Sequence, residues 1–262
     1  MSSLQEIDQE IVAYLLEAER EKREVEKITT KYPHLTFKEA YELQKQLIEK
    51  KEEQGGRRIG VKLGLTSKAK QEMMGVHEAI YGYLMVDMLS PEWEPIQFEQ
   101  LIHPKAEPEI AFLIDEDIQG TSVTAEDILR VTKYVAPAIE IIDSRYLDFK
   151  FTLVDVVADN CSSAKFILGN KWVSPKGLNL AEIGMYLAKN SEVATVGTSA
   201  AVLGDPAAAV AWVVNKLGET GQGLKKGDIV LSGAITEAIS FQPGDTIIAQ
   251  FADLGSVSFT CK

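Results

Sequence analysis

The amino-acid sequence predicts an α+β fold with a mainly antiparallel or mixed β-sheet. Apolar residues recur at helical spacing in the N-terminal segment. From Ile59 onward the pattern changes to short β-like runs separated by turns. The C-terminal third alternates the apolar runs DIVLSGAI, DTIIAQFA and GSVSFTC with glycine-containing turns, which is typical of strands. These observations divide the chain into a helical N-terminal subdomain at residues 1–56 and a mixed-β domain at residues 57–262.

Two helices are predicted in the N-terminal subdomain. The first covers residues 4 to about 29, with apolar side chains on one face and charged residues between them. Thr36 begins the second, because a threonine followed three residues later by Glu39 is typical of a capping box. Gly55 and Gly56 end it. The apolar stripes that would pack on the rest of the molecule are Ile7, Ile11, Leu15 and Leu16 in the first helix, and Ala40, Leu43, Leu47 and Ile48 in the second.

Shorter elements are predicted beyond residue 57. They are a strand over IGVKLGLT, a short helix over SKAKQEMMGV capped by Ser67, and helices at 124–132 and 205–217. The similar turns LKKGD and FQPGD each lead into a strand, and we interpret those two strands as members of one sheet.

Size, charge and cysteine content limit the possible functions. The 262 residues suit one large domain, or one domain with a helical extension. The net charge of −12 argues against a surface for nucleic acid or anionic membranes. The two cysteines do not make a disulfide framework, and no apolar run reaches the ~20 residues that span a bilayer. Because the charged N-terminus does not resemble a secretory signal, we expect a cytoplasmic protein.

Three glutamates form the strongest candidate for a functional site. Glu107 and Glu109 lie in HPKAEPEIAFLI, where a strand would place both side chains on one face, since residues i and i+2 point the same way. Glu140 lies in the apolar run 135–142, where a carboxylate is costly to bury unless it is paired or bound to a cation. Three oxygen ligands suit Mg²⁺ or Mn²⁺. The alternative is that these side chains are solvated or form salt bridges.

Two further polar features leave alternatives open. Lys62 lies between Gly60 and Gly64 in a predicted strand, and it is either an outward edge residue or an inward functional cation. The polar cluster in VDVVADNCSSAKFILG is either a turn or helix cap, or a loop that orients a ligand beside the metal. Asp143 and Arg145 follow the third glutamate and could supply a supporting carboxylate and a cation for a substrate carboxylate.

Several long blocks of this sequence are distinctive. They are GVKLGLTSKAKQEMMGVHEAIYGYL, HPKAEPEIAFLI, PAIEIIDSRYLDFKFTLVDVVADNCSSAKFILG and the closing GD…LG strands. They resemble the fumarylacetoacetate hydrolase superfamily, and within it the hydratase/decarboxylase branch, over nearly the whole chain. The resemblance implies a mixed β-sheet roll or sandwich of the fumarylacetoacetate hydrolase type. It places the family's metal ligands at Glu107, Glu109 and Glu140, and its strand lysine at Lys62.

The resemblance also implies an activity and further site residues. One enzyme of the branch decarboxylates 2-oxohex-3-enedioate to 2-hydroxypenta-2,4-dienoate and CO₂, and another hydrates that product, both in the meta-cleavage pathway of aromatic-compound degradation. By this resemblance the candidate catalytic residues are Lys62, Asp159 and Ile80. The candidate substrate-binding residues are Leu65, Thr66, Arg145, Asn160, Ser162 and Ser163.

Residues 75–82 favour the decarboxylase. The hydratases tend to read GVDQPDFG where this chain reads GVHEAIYG, so Ile80 stands in place of an acid. The decarboxylases tend to read PIYG, from which Ala79 is a small departure. An acid near the substrate would serve hydration, whereas a drier, apolar wall favours loss of CO₂. We therefore expect a decarboxylase. A hydratase of the same branch and a non-enzymatic metal-binding protein are the alternatives.

The chemistry of the expected substrate suits a metal ion. Its C1 carboxylate and C2 carbonyl form a bidentate chelate for Mg²⁺ or Mn²⁺, and loss of the distal carboxylate builds charge on the C2 oxygen. Lys62 is expected to hydrogen-bond that oxygen or to position the carboxylate, and a Schiff base is the weaker option. The resemblance further implies homo-oligomers and a complex with the hydratase that consumes the product.

Overall fold

Helices precede and interrupt two β-sheets in the computed structural model, which describes residues 4–262. The α-helices are α1 (Leu4–Glu21), α2 (Ile28–Lys31), α3 (Phe37–Glu53), α4 (Lys68–Met74), α5 (Ala125–Val131), α6 (Leu153–Ala158) and α7 (Pro206–Gly218). The strands are β1 (Arg58–Gly64), β2 (Ile80–Met85), β3 (Lys105–Ile114), β4 (Thr132–Ile142), β5 (Ser163–Leu168), β6 (Gly184–Lys189), β7 (Glu192–Thr198), β8 (Ile229–Leu231), β9 (Ile239–Ser240), β10 (Thr246–Phe251) and β11 (Gly255–Thr260). The predicted α+β class is confirmed.

The strands form one large and one small sheet that pack on each other. The large sheet has the order β2-β1-β8-β3-β4-β5, with β9 also paired to β3, and the small sheet has the order β11-β10-β6-β7. β1 and β8 run parallel, whereas the other neighbouring strands are antiparallel. The large sheet curls, since Leu89 beyond β2 bridges to Phe166 of β5. Strands β10 and β11 contact β4, which places a shared apolar core between the sheets.

The N-terminal helices pack on the same core as the sheets. Thr36 caps α3 as predicted, since its hydroxyl accepts from the backbone N–H of Glu39 and its own N–H donates to the Glu39 carboxylate. The buried side chains of α1 and α3, such as Leu15 and Leu43, are continuous with the core of the large sheet. The predicted domain boundary at residue 56 falls between α3 and β1, and the division into two domains stays a prediction.

The predicted first helix is too long, because the chain leaves the helical path after Glu21. Lys22 takes a left-handed conformation with φ 54°. The chain then extends so that the N–H of Val25 donates to the carbonyl of Arg145, and the N–H of Leu147 donates back to the carbonyl of Val25. A tertiary pairing therefore replaces the helix that local spacing predicts.

The strands that follow LKKGD and FQPGD do not share a sheet, so that prediction is wrong. β8 lies in the large sheet between β1 and β3, whereas β10 lies in the small sheet between β6 and β11. The strand predicted over DIVLSGAI is also shorter than expected and ends at Leu231. Gly233 beyond it has φ 107° and turns its N–H toward Glu109. Turn chemistry thus predicted where strands begin, but not their partners.

The other predicted helices are present. Thr124 caps α5 and Asp205 caps α7, each through a side-chain oxygen that accepts a backbone N–H of the first turn. α4 is present too, and its cap at Ser67 stays a prediction. Among residues 4–262, no helix combines the length and the apolar character needed to cross a membrane.

Candidate active site

Three buried carboxylates converge on one point of the large sheet. Glu107 and Glu109 lie two residues apart on β3, and Glu140 lies opposite Glu107 on β4. One carboxylate oxygen from each lies within 4.8 Å of the others. Glu109 and Glu140 are 0% exposed and Glu107 is 8% exposed. The convergence predicted from the E-x-E spacing is confirmed, and the solvated alternative is excluded.

The electrostatics of this cluster fit a divalent cation. Burial, followed by repulsion from Glu140, raises the pKa of Glu109 well above its usual value, and burial also raises the pKa of Glu140. The Oε2 atom of Glu109 accepts the N–H of Gly233 at 2.6 Å, but its buried Oε1 has no hydrogen-bond partner in the described part of the chain. Hard carboxylate oxygens with spare acceptor capacity are the ligands that Mg²⁺, Mn²⁺ and Ca²⁺ prefer.

Lys62 takes the inward of its two predicted orientations. Its ammonium lies 3.0 Å from Oε2 of Glu140 and donates to the carbonyl of Cys161 at 3.3 Å. The side chain is buried, and burial by itself would lower its pKa. The neighbouring carboxylates, Glu140 first, outweigh burial and raise the pKa of Lys62 above its usual value. The lysine is therefore a charged hydrogen-bond donor next to the carboxylates.

The polar cluster after α6 is both a turn and a neighbour of the carboxylates. Asn160, Cys161 and Ser162 are all left-handed, with φ of 47°, 54° and 57°. The side chain of Asn160 accepts the N–H of Tyr83 at 2.7 Å and donates to its carbonyl at 2.9 Å, which docks the turn on β2. The hydroxyl of Ser163 donates to Oε1 of Glu140 at 2.9 Å. We call residues 160–162 the left-handed turn.

Arg145 and Asp159 form a buried ion pair that supports this turn. The Nε of Arg145 donates to Oδ1 of Asp159 at 2.5 Å, and its Nη2 donates to the Asp159 carbonyl at 2.5 Å. Its Nη1 donates to the carbonyls of Asp143 and Ser163. Burial raises the pKa of Asp159 to about 6, against the opposing effect of Arg145. With its guanidinium committed to these protein groups, Arg145 holds the chain on both sides of the turn.

A cavity of about 470 Å³ opens beside the carboxylates. Six of the predicted site residues line it: Lys62, Leu65, Thr66, Ile80, Glu107 and Ser162. Much of the remaining wall is apolar, from Leu63, Ala69, Ile142, Phe149, Phe151, Val156 and Ala234. The hydroxyl of Ser162 is buried without a hydrogen-bond partner among the described residues, and it is available to a bound molecule.

Six predicted site residues do not line this cavity: Arg145, Asp159, Asn160, Ser163, Glu109 and Glu140. Arg145 and Asp159 lie behind the left-handed turn and Asn160 lies within it, and protein groups already satisfy all three. Ser163 contacts Glu140 instead. Arg145 therefore does not present its guanidinium to a substrate carboxylate in the cavity. Asp159 and backbone carbonyls already accept its hydrogen bonds.

Three contributors to the site were not predicted from the sequence. Lys105 lines the cavity. It lies two residues before Glu107, so the alternation of side chains along a strand places it on the same face as Glu107 and Glu109. Phe149 reaches the cavity from a loop, for which the sequence carries no periodic pattern. Gly233 holds Glu109, and a Cβ at this residue would lie 2.3 Å from the hydroxyl of Thr66. A glycine shortly after a predicted strand was the sequence feature that could have indicated this close approach.

The fold and the carboxylate site together define the class of protein. Residues 64–262 match the family model described as fumarylacetoacetate (FAA) hydrolase C-terminal. The chain belongs to this family, with a curled mixed sheet that carries three convergent glutamates.

Characterised relatives include both a decarboxylase and a hydratase. The chain is 39% identical over 248 residues to 4-oxalocrotonate decarboxylase of Pseudomonas putida, an alignment that covers 95% of this chain and 94% of the relative. It is 38% identical over 250 residues to 2-hydroxyhexa-2,4-dienoate hydratase of Comamonas testosteroni, covering 94% of this chain and 95% of the relative. Overall identity therefore does not separate the two activities.

Among solved structures, the chain is similar to 4-oxalocrotonate decarboxylase from Pseudomonas putida G7 in complex with magnesium and adipate. The TM-score is 0.96 at 37% sequence identity, and the match covers 100% of this chain and 99% of that one. The similarity includes the N-terminal helices, which lie outside the matched family region.

Proposed function

We propose that this protein is a carbon–carbon lyase that decarboxylates 2-oxohex-3-enedioate (4-oxalocrotonate) to 2-hydroxypenta-2,4-dienoate, or its keto tautomer, and CO₂. The reaction belongs to the meta-cleavage pathway of aromatic-compound degradation. The observation that carries the proposal is a cluster of three buried carboxylates at one side of a largely apolar cavity. The structural match to 4-oxalocrotonate decarboxylase from Pseudomonas putida G7, with a TM-score of 0.96 over 100% of the chain, supports the choice of reaction.

The residues that would hold the cofactor are Glu107, Glu109 and Glu140, and the proposed ion is Mg²⁺ or Mn²⁺. When bound, such an ion supplies Lewis-acid polarisation of the substrate's C2 carbonyl. Gly233 and Ser163 orient two of the ligands by donating to Glu109 and Glu140. Supporting hydrogen bonds of this kind fix the direction of carboxylate ligands.

Lys62 is proposed to stabilise the charge that develops during decarboxylation. When the C5–C6 bond breaks, its electron pair moves through the C3=C4 bond and charge accumulates on the C2 oxygen. A buried ammonium beside Glu140 is a preorganised donor for that oxygen, and such donors are most effective where water is excluded. A Schiff base is the weaker option, because it needs a neutral amine and the neighbouring carboxylates keep the pKa of Lys62 high.

The walls of the cavity are proposed to select decarboxylation over hydration. Ile80 is 2% exposed and gives an aliphatic surface where hydratases of the branch tend to place an acid. Leu65 and Thr66 line the same cavity, and Ser162 offers its free hydroxyl to a substrate carboxylate. Because Ile80 carries no carboxyl group, this wall of the cavity supplies neither a proton nor an activated water to the diene.

We propose a positioning role for the residues behind the cavity. Arg145 and Asp159 hold the chain before and after the left-handed turn, and Asn160 anchors the turn to β2. The left-handed turn then presents the Cys161 carbonyl to Lys62 and the Ser162 hydroxyl to the cavity. We therefore propose that Arg145, Asp159 and Asn160 position the turn and do not contact the substrate.

Hydration of 2-hydroxypenta-2,4-dienoate is the second candidate, because a hydratase relative is nearly as similar to the chain as the decarboxylase relative. The test is to incubate the protein and Mg²⁺ with each substrate separately, and to follow CO₂ release and loss of the diene absorbance. We expect CO₂ from 2-oxohex-3-enedioate and little hydration of the dienoate. The reverse pattern would support the hydratase, and inactivity on both would favour a non-enzymatic metal-binding protein.

We further propose a cytoplasmic homo-oligomer that associates with the hydratase of the same pathway. Both cysteines are free and buried, which suits a reducing compartment. The dienol product tautomerises readily, so direct transfer to the next enzyme would limit its loss. Members of the branch resemble one another closely enough to suggest such an association.

A further inference from the structure

Lys105 lies on the same face of β3 as two of the metal-ligand candidates. It precedes Glu107 by two residues and Glu109 by four, and side chains at this spacing share one face of a strand. It also lines the cavity. One step of two residues along a strand is about 6.6 Å. The backbone positions of Lys105 and Glu107 are therefore separated by a distance comparable with that between the carboxyl groups of an extended six-carbon diacid.

The ammonium of Lys105 rests on an aromatic ring. Its Nζ lies 4.2 Å from the ring centroid of Phe149, and among the side chains that the structure describes it pairs with no carboxylate. A partly exposed cation–π contact is weaker than a buried ion pair. By contrast, Lys62 is already neutralised by Glu140. Lys105 is thus a cation of the cavity that retains its capacity to bind an anion.

The proposed function so far assigns no cationic residue to the distal carboxylate of the substrate. The three glutamates together carry three negative charges, which Lys62 and a divalent cation would offset. A 2-oxo dicarboxylate brings two more, one at the chelating end and one at the far end. Glu237, at the exposed rim, would repel the far carboxylate. Lys105, inside the cavity, is placed to supply a cation for that far carboxylate.

We propose that Lys105 binds the distal carboxylate of the substrate and so selects 2-oxo dicarboxylates over 2-oxo monocarboxylates. The inference rests on the proposed function and adds a binding residue for the substrate's second carboxylate. As C6 leaves as neutral CO₂, its negative charge moves to the C2 oxygen and the ion pair with Lys105 is lost. Lys105 therefore strengthens substrate binding without lowering the barrier of the bond-breaking step.

A pair of unreactive ligands tests this assignment. 2-Oxohexanedioate and 2-oxohexanoate share the chelating end and lack the C3=C4 bond, and they differ by the distal carboxylate. Calorimetry with Mg²⁺ should show that the wild-type protein binds the dicarboxylate about 10- to 100-fold more tightly. Lys105→Met should abolish this preference and leave the affinity for 2-oxohexanoate unchanged, whereas Lys105→Arg should retain a preference.

Lys133→Met is the matched control, because Lys133 also rests on an aromatic ring, that of Tyr134, but does not line the cavity. It should bind both ligands as the wild type does. In kinetic assays, Lys105→Met should raise KM for 2-oxohex-3-enedioate about tenfold or more without lowering kcat.

Two results would overturn the assignment. One is a preference for the dicarboxylate that survives Lys105→Met, and the other is an equal loss of affinity for both ligands, which would indicate a structural role. Melting temperatures of the variants identify a folding defect, in which case Lys105→Arg decides the question. The wild-type protein could release no CO₂ while Lys105→Met still abolishes the ligand preference. That pair of results would refute the proposed reaction but retain the binding assignment.

Discussion

Glu107 of β3 and Glu140 of β4 lie directly opposite each other in the antiparallel register of the large sheet. Like charges in this arrangement destabilise a strand pair. Glu109 adds a third buried carboxylate within 4.8 Å, and Lys62 offsets one of the three charges. The sheet therefore concentrates negative charge at a point where a divalent cation would stabilise it.

The stabilisation of the protein by Mg²⁺ should increase with pH. The pKa of Glu109 is raised in the folded state, because burial favours its protonated form. In the metal-free protein, the stability that protonated Glu109 contributes is therefore present at low pH and is lost as the pH rises through that raised pKa. A divalent cation replaces the proton and binds the ionised form more tightly. The difference in melting temperature between Mg²⁺ and EDTA should therefore grow from about pH 5 to about pH 8.

Glu109→Gln should reduce that difference, whereas Glu116→Gln, at an exposed glutamate beyond the end of β3, should leave it unchanged. A difference that stays constant or shrinks as the pH rises would argue against metal binding at the three glutamates.

Ile80→Asp should lower kcat for decarboxylation about tenfold or more. A carboxylate in the cavity repels the departing carboxylate and admits water, and it could allow some hydration of the dienoate. Ile80→Asn matches the aspartate in size without its charge and should lower kcat less. Melting temperatures are measured in parallel, because an unpaired buried charge can cost a few kcal/mol of stability. Equal kcat losses in both variants, tracking stability, would make Ile80 a packing residue only.

Arg145→Met should destabilise the protein by about 3–5 kcal/mol, because it leaves Asp159 buried without its partner. Urea denaturation measures the change in unfolding free energy. Adding Asp159→Asn should recover part of the loss. Lys150→Met, which breaks the exposed pair with Asp148, should cost less than about 1 kcal/mol. Similar losses in the two single variants would show that the Arg145–Asp159 pair does not hold the left-handed turn.

The proposed complex with the pathway's hydratase should be observable after co-expression. Size-exclusion chromatography at about micromolar concentration should show both proteins in one peak, of larger size than either alone. This protein run alone should elute as a homo-oligomer. Separate elution of the two enzymes would count against a stable complex, and direct transfer of the product would then need another explanation.

Local patterns predicted the parts of the site that lie on regular strands. Alternation along β3 predicted that Glu107 and Glu109 converge, and an apolar run marked Glu140 as a buried carboxylate. The capping box at Thr36 and the helix after Asp205 were also correctly predicted, because their determinants lie within a few residues.

Features that depend on distant contacts were not predictable in this way. The first helix ends at Glu21 because Val25 pairs with residues 145–147, which no local spacing records. Arg145 and Asp159 carry the residue types of a binding site, but their mutual pairing, set by the tertiary fold, turns both away from the cavity. Phe149 reaches the cavity from a loop, and only the folded chain places it beside Lys105.

Metal-dependent decarboxylation is tested by measuring CO₂ release from 2-oxohex-3-enedioate by the purified protein, first in EDTA and then with excess Mg²⁺. We expect no release above background in EDTA, full recovery with Mg²⁺ or Mn²⁺, and little recovery in Glu109→Gln. Full activity in EDTA, or a Glu109→Gln variant as active as the wild type, would contradict decarboxylation by a metal ion held at Glu107, Glu109 and Glu140.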